Sequence, residues 1–272
     1  MTWPFENDTS AITKKLANKS LKSEKRRNLM VVIAVALASC LICFSIVMAL
    51  STRQIEKNHV EDTYEAVYTR ITEEDVSTLK GLDDFSRVGE YYMLAVEPAK
   101  QGYNASYIYC DEETMYIARD QMKLLEGRLP QKEDEVAVSR YFLSNYGADA
   151  GIGEKVMLNS ESFHGEYTVT GILEGYKEKE VNGSSILLSK EALKGWSGYD
   201  PADYRAYVHF KNEQQMDETE LTARSREIAK EYQLEMPIMN LSYMKFYKQP
   251  VNVSMLALVA GIAVLVIIGG YV

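Results

Sequence analysis

Apolar and polar positions fall into three regimes along the chain. From Leu29 to Leu50 the run LMVVIAVALASCLICFSIVMAL carries no charge. As a helix, this stretch rises about 33 Å, enough to cross a hydrocarbon core. From Val253 to Val272 the run VSMLALVAGIAVLVIIGGYV is likewise uncharged. Between them the pattern breaks into short alternations of period two and stripes of period near 3.6, which predicts an α+β domain, either one unit or two small subdomains. The organisation expected is a basic amphipathic segment at 1–27, a transmembrane helix at 28–50, an α+β domain at 51–250 and a second transmembrane helix at 251–272. The last run stops at the final residue without a polar flank, which reads as a chain truncated in its second membrane helix.

Within the central region, strands are expected at Ala66–Ile71, Val88–Val96, Ser106–Cys110, Met115–Ala118, Glu135–Val138, Lys155–Leu158, Tyr167–Leu173, Ser185–Leu188 and Arg205–Phe210. Helices are expected at Glu73–Leu82, Ser139–Tyr146, Lys190–Trp196 and Asp217–Tyr232. In the last of these, Asp217 with Glu220 forms a capping-box pattern, and Leu221, Ser225, Ile228 and Tyr232 trace one stripe. Turn chemistry at Gly127–Pro130, Gly147, Gly151-Ile152-Gly153 and Asn182-Gly183 separates the elements. Ahead of the first apolar run, Ile12, Leu16, Ala17 and Leu21 alternate with Lys14, Lys15, Lys19, Lys22 and Lys25 behind possible N-caps at Asp8, Thr9 or Ser10. That spacing predicts an interfacial amphipathic helix.

Charge adds a direction. The net charge of −9 divides into a +4 leader over residues 1–27 and a −13 remainder. Seven Lys/Arg lie between Lys14 and Arg27, against Arg53 and Lys57 just beyond the first apolar run. The positive-inside rule then keeps the N-terminus in the cytoplasm and puts residues 51–250 outside. Lys245 and Lys248, on the outer flank of the second run, sit against this trend, which a long exported domain tolerates. A cleaved signal peptide would have a shorter apolar core and small residues at a cleavage site, so the first run reads as an uncleaved anchor. An acidic body without a basic folded stripe argues against nucleic-acid binding.

No catalytic, cofactor-binding or metal constellation emerges. His59, His164 and His209 are scattered, with no ligand at i+4. Cys40 and Cys43 have C-x-x-C spacing but fall inside an apolar run, where thiolate chemistry has no water, and Cys110 stands alone. Gly151-x-Gly153 lacks the third glycine of a dinucleotide turn, and no P-loop occurs, so the chain cannot bind ATP in the P-loop manner by itself. The acidic clusters Glu73-Glu74-Asp75, Asp111-Glu112-Glu113 and Glu133-Asp134-Glu135 lack calcium-loop spacing and read as helix starts and turns. Tyr91-Tyr92 could stack a ligand, but packing on a half-buried sheet face explains the pair more simply.

One ordered set of motifs goes further: Leu125-Glu126-Gly127-Arg128-Leu129-Pro130, then Glu133 to Ser139 (EDEVAVS), then Gly153-Glu154-Lys155-Val156, then Tyr167-Thr168-Val169-Thr170-Gly171-Ile172. In this order, inside a helix–domain–helix layout, it resembles the extracytoplasmic core of FtsX-like ABC transporter permeases of the MacB type. Tyr204–Phe210 and the following helix resemble the later strand and helix of that family. The resemblance implies a multi-pass permease of the cell membrane, itself not an enzyme, dimeric or pseudo-dimeric with the remainder of the permease, and working with a separate ABC ATPase subunit. Such permeases export peptides, antibiotics or lipoproteins, or transmit motion across the bilayer. The family's later helices and ATPase-contacting loop have no counterpart in this sequence.

Both apolar runs lack ionisable residues, so a charge-lined pore or proton relay is not supported by them. Mechanical coupling is the expectation: an outer domain held at both ends, near Thr52 and Val251, moves when the helices shift. The competing class is a two-helix receptor with an extracytoplasmic ligand-sensing domain, which usually has a short leader and a long helix running into that domain. An anchored hydrolase has neither nucleophile nor metal set behind it.

Overall fold

The computed structural model describes residues 10–23, 25–98, 103–119, 121–146, 149–175, 178–248 and Gly261. The chain divides into two compact units, one holding residues up to Gln54 and the other Ile55–Gln249. In the first, α1 (Ser10–Ser23) is the helix that the leader's periodicity predicts, with Ile12 and Leu16 exposed. Asp8 and Thr9, two of the three expected caps, lie outside the described residues, as does the second apolar run apart from Gly261.

The second helix, α2 (Lys25–Val60), contains the first apolar run and continues ten residues past Leu50. Its stretch Leu29–Ile55 is long and apolar enough to cross a membrane, and those side chains cover no protein core. Such a surface is stable in hydrocarbon and costly in water.

The α+β expectation holds, and the second unit is built on one continuous ten-stranded sheet rather than on two separate ones. In chain order its strands are β1 (Ala66–Ile71), β2 (Phe85–Pro98), β3 (Asn104–Cys110), β4 (Met122–Gly127), β5 (Glu135–Ser139), β6 (Lys155–Asn159), β7 (His164–Gly175), β8 (Gly183–Leu188), β9 (Tyr204–Phe210) and β10 (Ile238–Met239). Their spatial order is β10-β1-β9-β2-β3-β8-β5-β7-β4, with β6 also paired to β7. Two long strands make the sheet continuous. The first half of β2 pairs antiparallel with β9 and its second half with β3, with a register shift between Met93 and Ala95. Strand β3 then runs parallel to β8, which joins the two ends of the sheet.

Side-chain alternation sorts the core into two faces. On β9, Ala206, Val208 and Phe210 join Tyr68, Ile71 and Phe85 in the main cluster, whereas Tyr207 joins Val67, Tyr64 and Ile117 on the other face. Helix α3 (Glu73–Lys80) buries Val76 and Leu79 in the main cluster, and α8 (Glu218–Glu231) buries Leu221, Ile228 and Ala229 there. The α8 cap is the expected one: the Asp217 side chain accepts from the Glu220 amide at 2.9 Å and the Glu220 side chain accepts from the Asp217 amide at 3.0 Å. The hydroxyl of Tyr68 donates to the Ser225 carbonyl at 2.9 Å, fixing α8 to β1.

Three short helices complete this part of the unit: α5 (Arg140–Tyr146), α6 (Glu178–Val181) and α7 (Lys190–Gly195). The one strand expectation that fails is Met115–Ala118, which lies in and just after helix α4 (Glu112–Ile117). The cause is a tertiary cap. The Asp111 carboxylate accepts from the amides of Thr114 and Glu90, each at 2.9 Å, and the Thr114 hydroxyl donates to the Glu90 carbonyl at 2.9 Å. These bonds satisfy the first turn of a helix whose β-prone residues would favour a strand in isolation. The unexpected strand β4 follows directly; in MKLLEG two adjacent leucines break the alternation that would have marked it.

Candidate functional site

The long helix gives way to the sheet over Glu61–Glu65, where five residues change the chain from helical to extended. Val60 is buried, Asp62 takes a left-handed conformation (φ 51°), and the Thr63 hydroxyl donates to the Val60 carbonyl at 2.7 Å. A left-handed residue just past the last turn is a common way to stop a helix. The Arg119 guanidinium donates to the Glu61 carbonyl and stands 3.6 Å from the Asp62 carboxylate, so the helix end is tied to the segment after α4.

Glu65, the next residue but one after Thr63, is fully buried. One carboxylate oxygen faces His209 Nδ1 at 2.8 Å, and the other accepts from the Phe210 amide at 2.8 Å. Burial pushes the Glu65 carboxyl pKa up, and His209 and the Phe210 amide pull it only partly back. For His209, burial disfavours the imidazolium, yet the hydrogen bond and charge of Glu65 outweigh it and the pKa rises. Both shifts hold protons on the folded pair.

The chain leaves the domain beside this entrance. Strand β10 pairs antiparallel with β1, with Ala66 opposite Met239 and Val67 opposite Ile238. Asn240 then makes four bonds: its amide donates to the Glu65 carbonyl at 2.8 Å, its Nδ2 to the Tyr64 carbonyl at 2.9 Å, its Oδ1 accepts from the Tyr243 amide at 3.2 Å, and its carbonyl accepts from the Met244 amide at 3.0 Å. The Oδ1 bond caps α9 (Leu241–Tyr243), which continues into the π-helical turn Met244–Lys248. Tyr243 stacks on Tyr247 at 5.0 Å between ring centroids, and Lys57 Nζ of α2 stands 5.1 Å from the Tyr247 ring. Entrance and exit are thus one hydrogen-bonded junction.

The motif turn forms a second arrangement at the other end of the sheet. Arg128 grips Glu135 with two hydrogen bonds of 2.6 and 2.7 Å, and the amides of Gln131 and Lys132 donate to the same carboxylate at 2.9 and 3.3 Å. The Arg128 guanidinium, helped by those amides, holds the Glu135 carboxyl down at about 2. Gly127 has φ +81°, and at Gly171, its partner on β7, an added Cβ would lie 2.6 Å from the Arg128 carbonyl oxygen. Both motif glycines are therefore required by the closeness of the two backbones.

These two groups predict opposite pH limbs for stability. Glu135 has a depressed folded pKa, so its contribution is present above its unfolded value of about 4.3 and is lost as pH falls toward its folded value. Glu73, Asp84 and Glu97 are shifted down as well and add to this acid limb. His209 and Glu65 have raised folded pKa values. The His209 contribution is complete below its unfolded value of about 6.5 and is lost as pH rises through its folded pKa. Melting temperatures of the full chain in detergent should therefore fall on both sides of mildly acidic pH. Glu135→Gln should flatten the acid limb and His209→Gln the neutral one; unchanged limbs in both variants would contradict the assignment.

The remaining sequence candidates disperse. His59 falls in α2 and His164 is exposed at the start of β7, whereas His209 stands against the Glu65 carboxylate. Cys40 and Cys43 are exposed on α2, while Cys110 is buried and burial pushes its thiol pKa up. The first two acidic clusters start helices: Thr72 caps α3 in a capping box with Asp75, and Asp111 caps α4. In the third cluster Glu135 is the Arg128 partner. Tyr91 packs against Tyr207 with centroids 5.5 Å apart, and the buried Tyr92 hydroxyl accepts from the Asp200 amide at 2.9 Å. Among the described residues no group of three or more His, Cys, Asp and Glu is placed to hold a metal ion. A cleft of about 50 Å³ beside Tyr91, Cys110, Thr114 and Gln121 has room for water, not for an organic ligand.

Sequence reading did not single out Glu65 or Asn240. The signal available was one acidic residue heading the apolar-alternating run of β1, which a solvated strand end explains equally well.

Comparison with curated proteins finds no match. Among solved structures the chain is similar to the extracellular domain of the noncanonic ABC-type transporter YknZ from Gram-positive bacteria, at 14% identity and TM-score 0.46 over 65% of this chain and 100% of that one. It is also similar to the periplasmic region of MacB from Actinobacillus actinomycetemcomitans, at 11% identity and TM-score 0.44 over 68% of this chain and 91% of that one. Residues 29–226, from the apolar stretch of α2 into α8, match the family model of the MacB-like periplasmic core domain, and the chain belongs to that family of ABC-transporter permease domains.

Proposed function

We propose that this chain is a permease subunit that couples ATP hydrolysis on a separate ATPase to movement of its outer domain, driving export of peptide, antibiotic or lipoprotein-type substrates or signalling across the membrane. In this reading α2 and the 253–272 run both span the cell membrane, the N-terminus is cytoplasmic and the sheet domain is outside. A second copy, or the remainder of the permease, completes the assembly, and no cofactor is bound by this chain.

The observation that carries the reading is the pairing of β1 with β10. The segment that follows α2 and the segment that leads to the second apolar run are bonded to one another, and Asn240 ties both to the Glu65 backbone. A displacement of either helix is delivered to the same edge of one continuous sheet. Packed sheets transmit such displacements as rigid bodies because their cores do not deform continuously.

A two-helix receptor shares the layout, and the continuation of α2 to Val60 fits it. Membership of a permease domain family weighs against it. The test uses the chain purified from its native membrane with its associated ATPase, carrying spin labels at Ser51→Cys and Lys123→Cys after replacement of Cys40 and Cys43 by alanine. The distance between the labels should change between the nucleotide-free state and the state trapped with ATP and vanadate. An identical distance distribution, or purification without any ATPase, would overturn the proposal.

A further inference from the structure

Exposed apolar side chains recur where the chain leaves the domain. Ile238 on β10 is 62% exposed and Leu241 at the start of α9 is 79% exposed, whereas Tyr243 and Met244 beside them are buried. The buried pair and the Asn240 bonds fix the segment, so these apolar groups are held outward by a rigid turn. Lys245 is exposed on the same segment, next to half-buried Phe246, with its Nζ 5.1 Å from that ring. Lys248 donates to the Glu213 carbonyl. These are the two lysines that run against the positive-inside pattern.

Chain length says what covers them. The apolar stretch of α2 ends at Ile55, and Lys57, two residues on, lies over the Tyr247 ring. Two helical residues rise about 3 Å, and the headgroup layer on each side of a bilayer is about 5–8 Å deep. On the other side, Lys248 precedes the second apolar run at Val253 by five residues, which reach at most about 18 Å when extended. A turn pinned between two such ends, with leucine and isoleucine outward and lysine and aromatic groups beside them, has the composition of an interfacial segment.

We propose that the Leu241–Lys248 turn, together with Ile238, rests on the outer leaflet of the membrane, with Leu241 at the boundary of headgroups and acyl chains and the exposed Lys245 toward lipid phosphates, while Lys248 pins the turn to the Glu213 carbonyl. This inference rests on the reading of α2 and residues 253–272 as membrane helices. Lys245 on an outward flank then has a role: its stem covers apolar surface while its ammonium group meets anionic headgroups. The junction is held against the bilayer plane as well as by its two helices.

The test places an environment-sensitive fluorophore on Ser242→Cys in the full chain lacking Cys40 and Cys43, reconstituted in phosphatidylcholine vesicles with and without phosphatidylglycerol. Emission should shift to the blue and be quenched by lipids brominated near the headgroup. The same label on Lys123→Cys, on β4 at the opposite edge of the sheet, should stay unquenched. Adding Leu241→Ser, a change at an exposed position, should abolish the quenching at 242, and Lys245→Glu should weaken it in the vesicles containing phosphatidylglycerol. If the protein floats with the vesicles but the 242 label emits as in water, the inference alone fails. A blue-shifted label insensitive to brominated lipid would mean a second protein copy covers the turn and would overturn it too. Failure to float with vesicles would remove both this inference and the membrane reading beneath it.

Discussion

Replacing Gly127 with alanine is expected to destabilise the sheet domain by about 3–5 kcal/mol, the sum of a left-handed backbone penalty and an overpacked contact. The residue sits at φ +81° where β4 ends, and a Cβ there would overlap the Thr170 carbonyl oxygen and approach Ile152 Cδ1 to 2.9 Å and Gly171 Cα to 3.1 Å. The Ile152 side chain can swing aside, but the Thr170 and Gly171 backbones cannot, because they belong to β7, which is bonded to β4, β5 and β6. Gly153→Ala supplies the control. It has nearly the same backbone angle, φ +85°, but nothing within 4 Å of the added carbon. Its cost should be backbone strain alone, about 1 kcal/mol. Urea unfolding of the full chain in detergent, followed through Trp196, which stacks on Phe163 in the core, separates the two. Equal losses for the two variants would show that the contact with β7 contributes nothing.

The second large effect is expected at the junction. Glu65→Ala should cost about 3–5 kcal/mol, the usual penalty for removing one member of a buried, hydrogen-bonded pair. It leaves His209 Nδ1 and the Phe210 amide facing an apolar space where the carboxylate had received both. Glu65→Gln keeps the shape and one acceptor oxygen, so it should cost less, and it should remove the dependence of stability on pH near neutrality because the imidazole loses its counter-charge. Thermal melts of both variants at pH 5 and pH 8 give the comparison. If alanine and glutamine variants match the parent at both values, the buried carboxylate has no structural role.

How much of this was legible in the sequence depended on whether a residue's environment was local. Strands β1, β5, β8 and β9 and helices α3, α7 and α8 were readable because alternation, stripes and caps are written within a few residues of one another. Asp217 and Glu220 are three apart, and their reciprocal bonds are those the pattern implies. Helix α4 was misread as a strand because the groups that stabilise its first turn include Glu90, which belongs to a different strand and is distant in sequence. The motif turn announced itself, yet its reason did not: Gly171 is needed because Arg128 O approaches it, a contact between strands that no local pattern records. The junction was the least visible part. Glu65, His209 and Asn240 lie far apart along the chain, and each alone has an ordinary explanation as a surface or turn residue. Only the order of the sheet, which sets β10, β1 and β9 side by side, brings them together.

That same order has a consequence for biogenesis. Strand β9 lies between β1 and β2, but it is synthesised more than a hundred residues after β2 ends. While the polypeptide is being made, both earlier strands must wait, each with its β9-facing edge bare, for a partner that has not yet left the ribosome. Long-range pairing of this kind slows folding and leaves unpaired strands open to aggregation. A nascent chain stalled before residue 204 should therefore be protease-sensitive over β1 and β2 and depend on chaperones, and acquire resistance only once β9 has emerged.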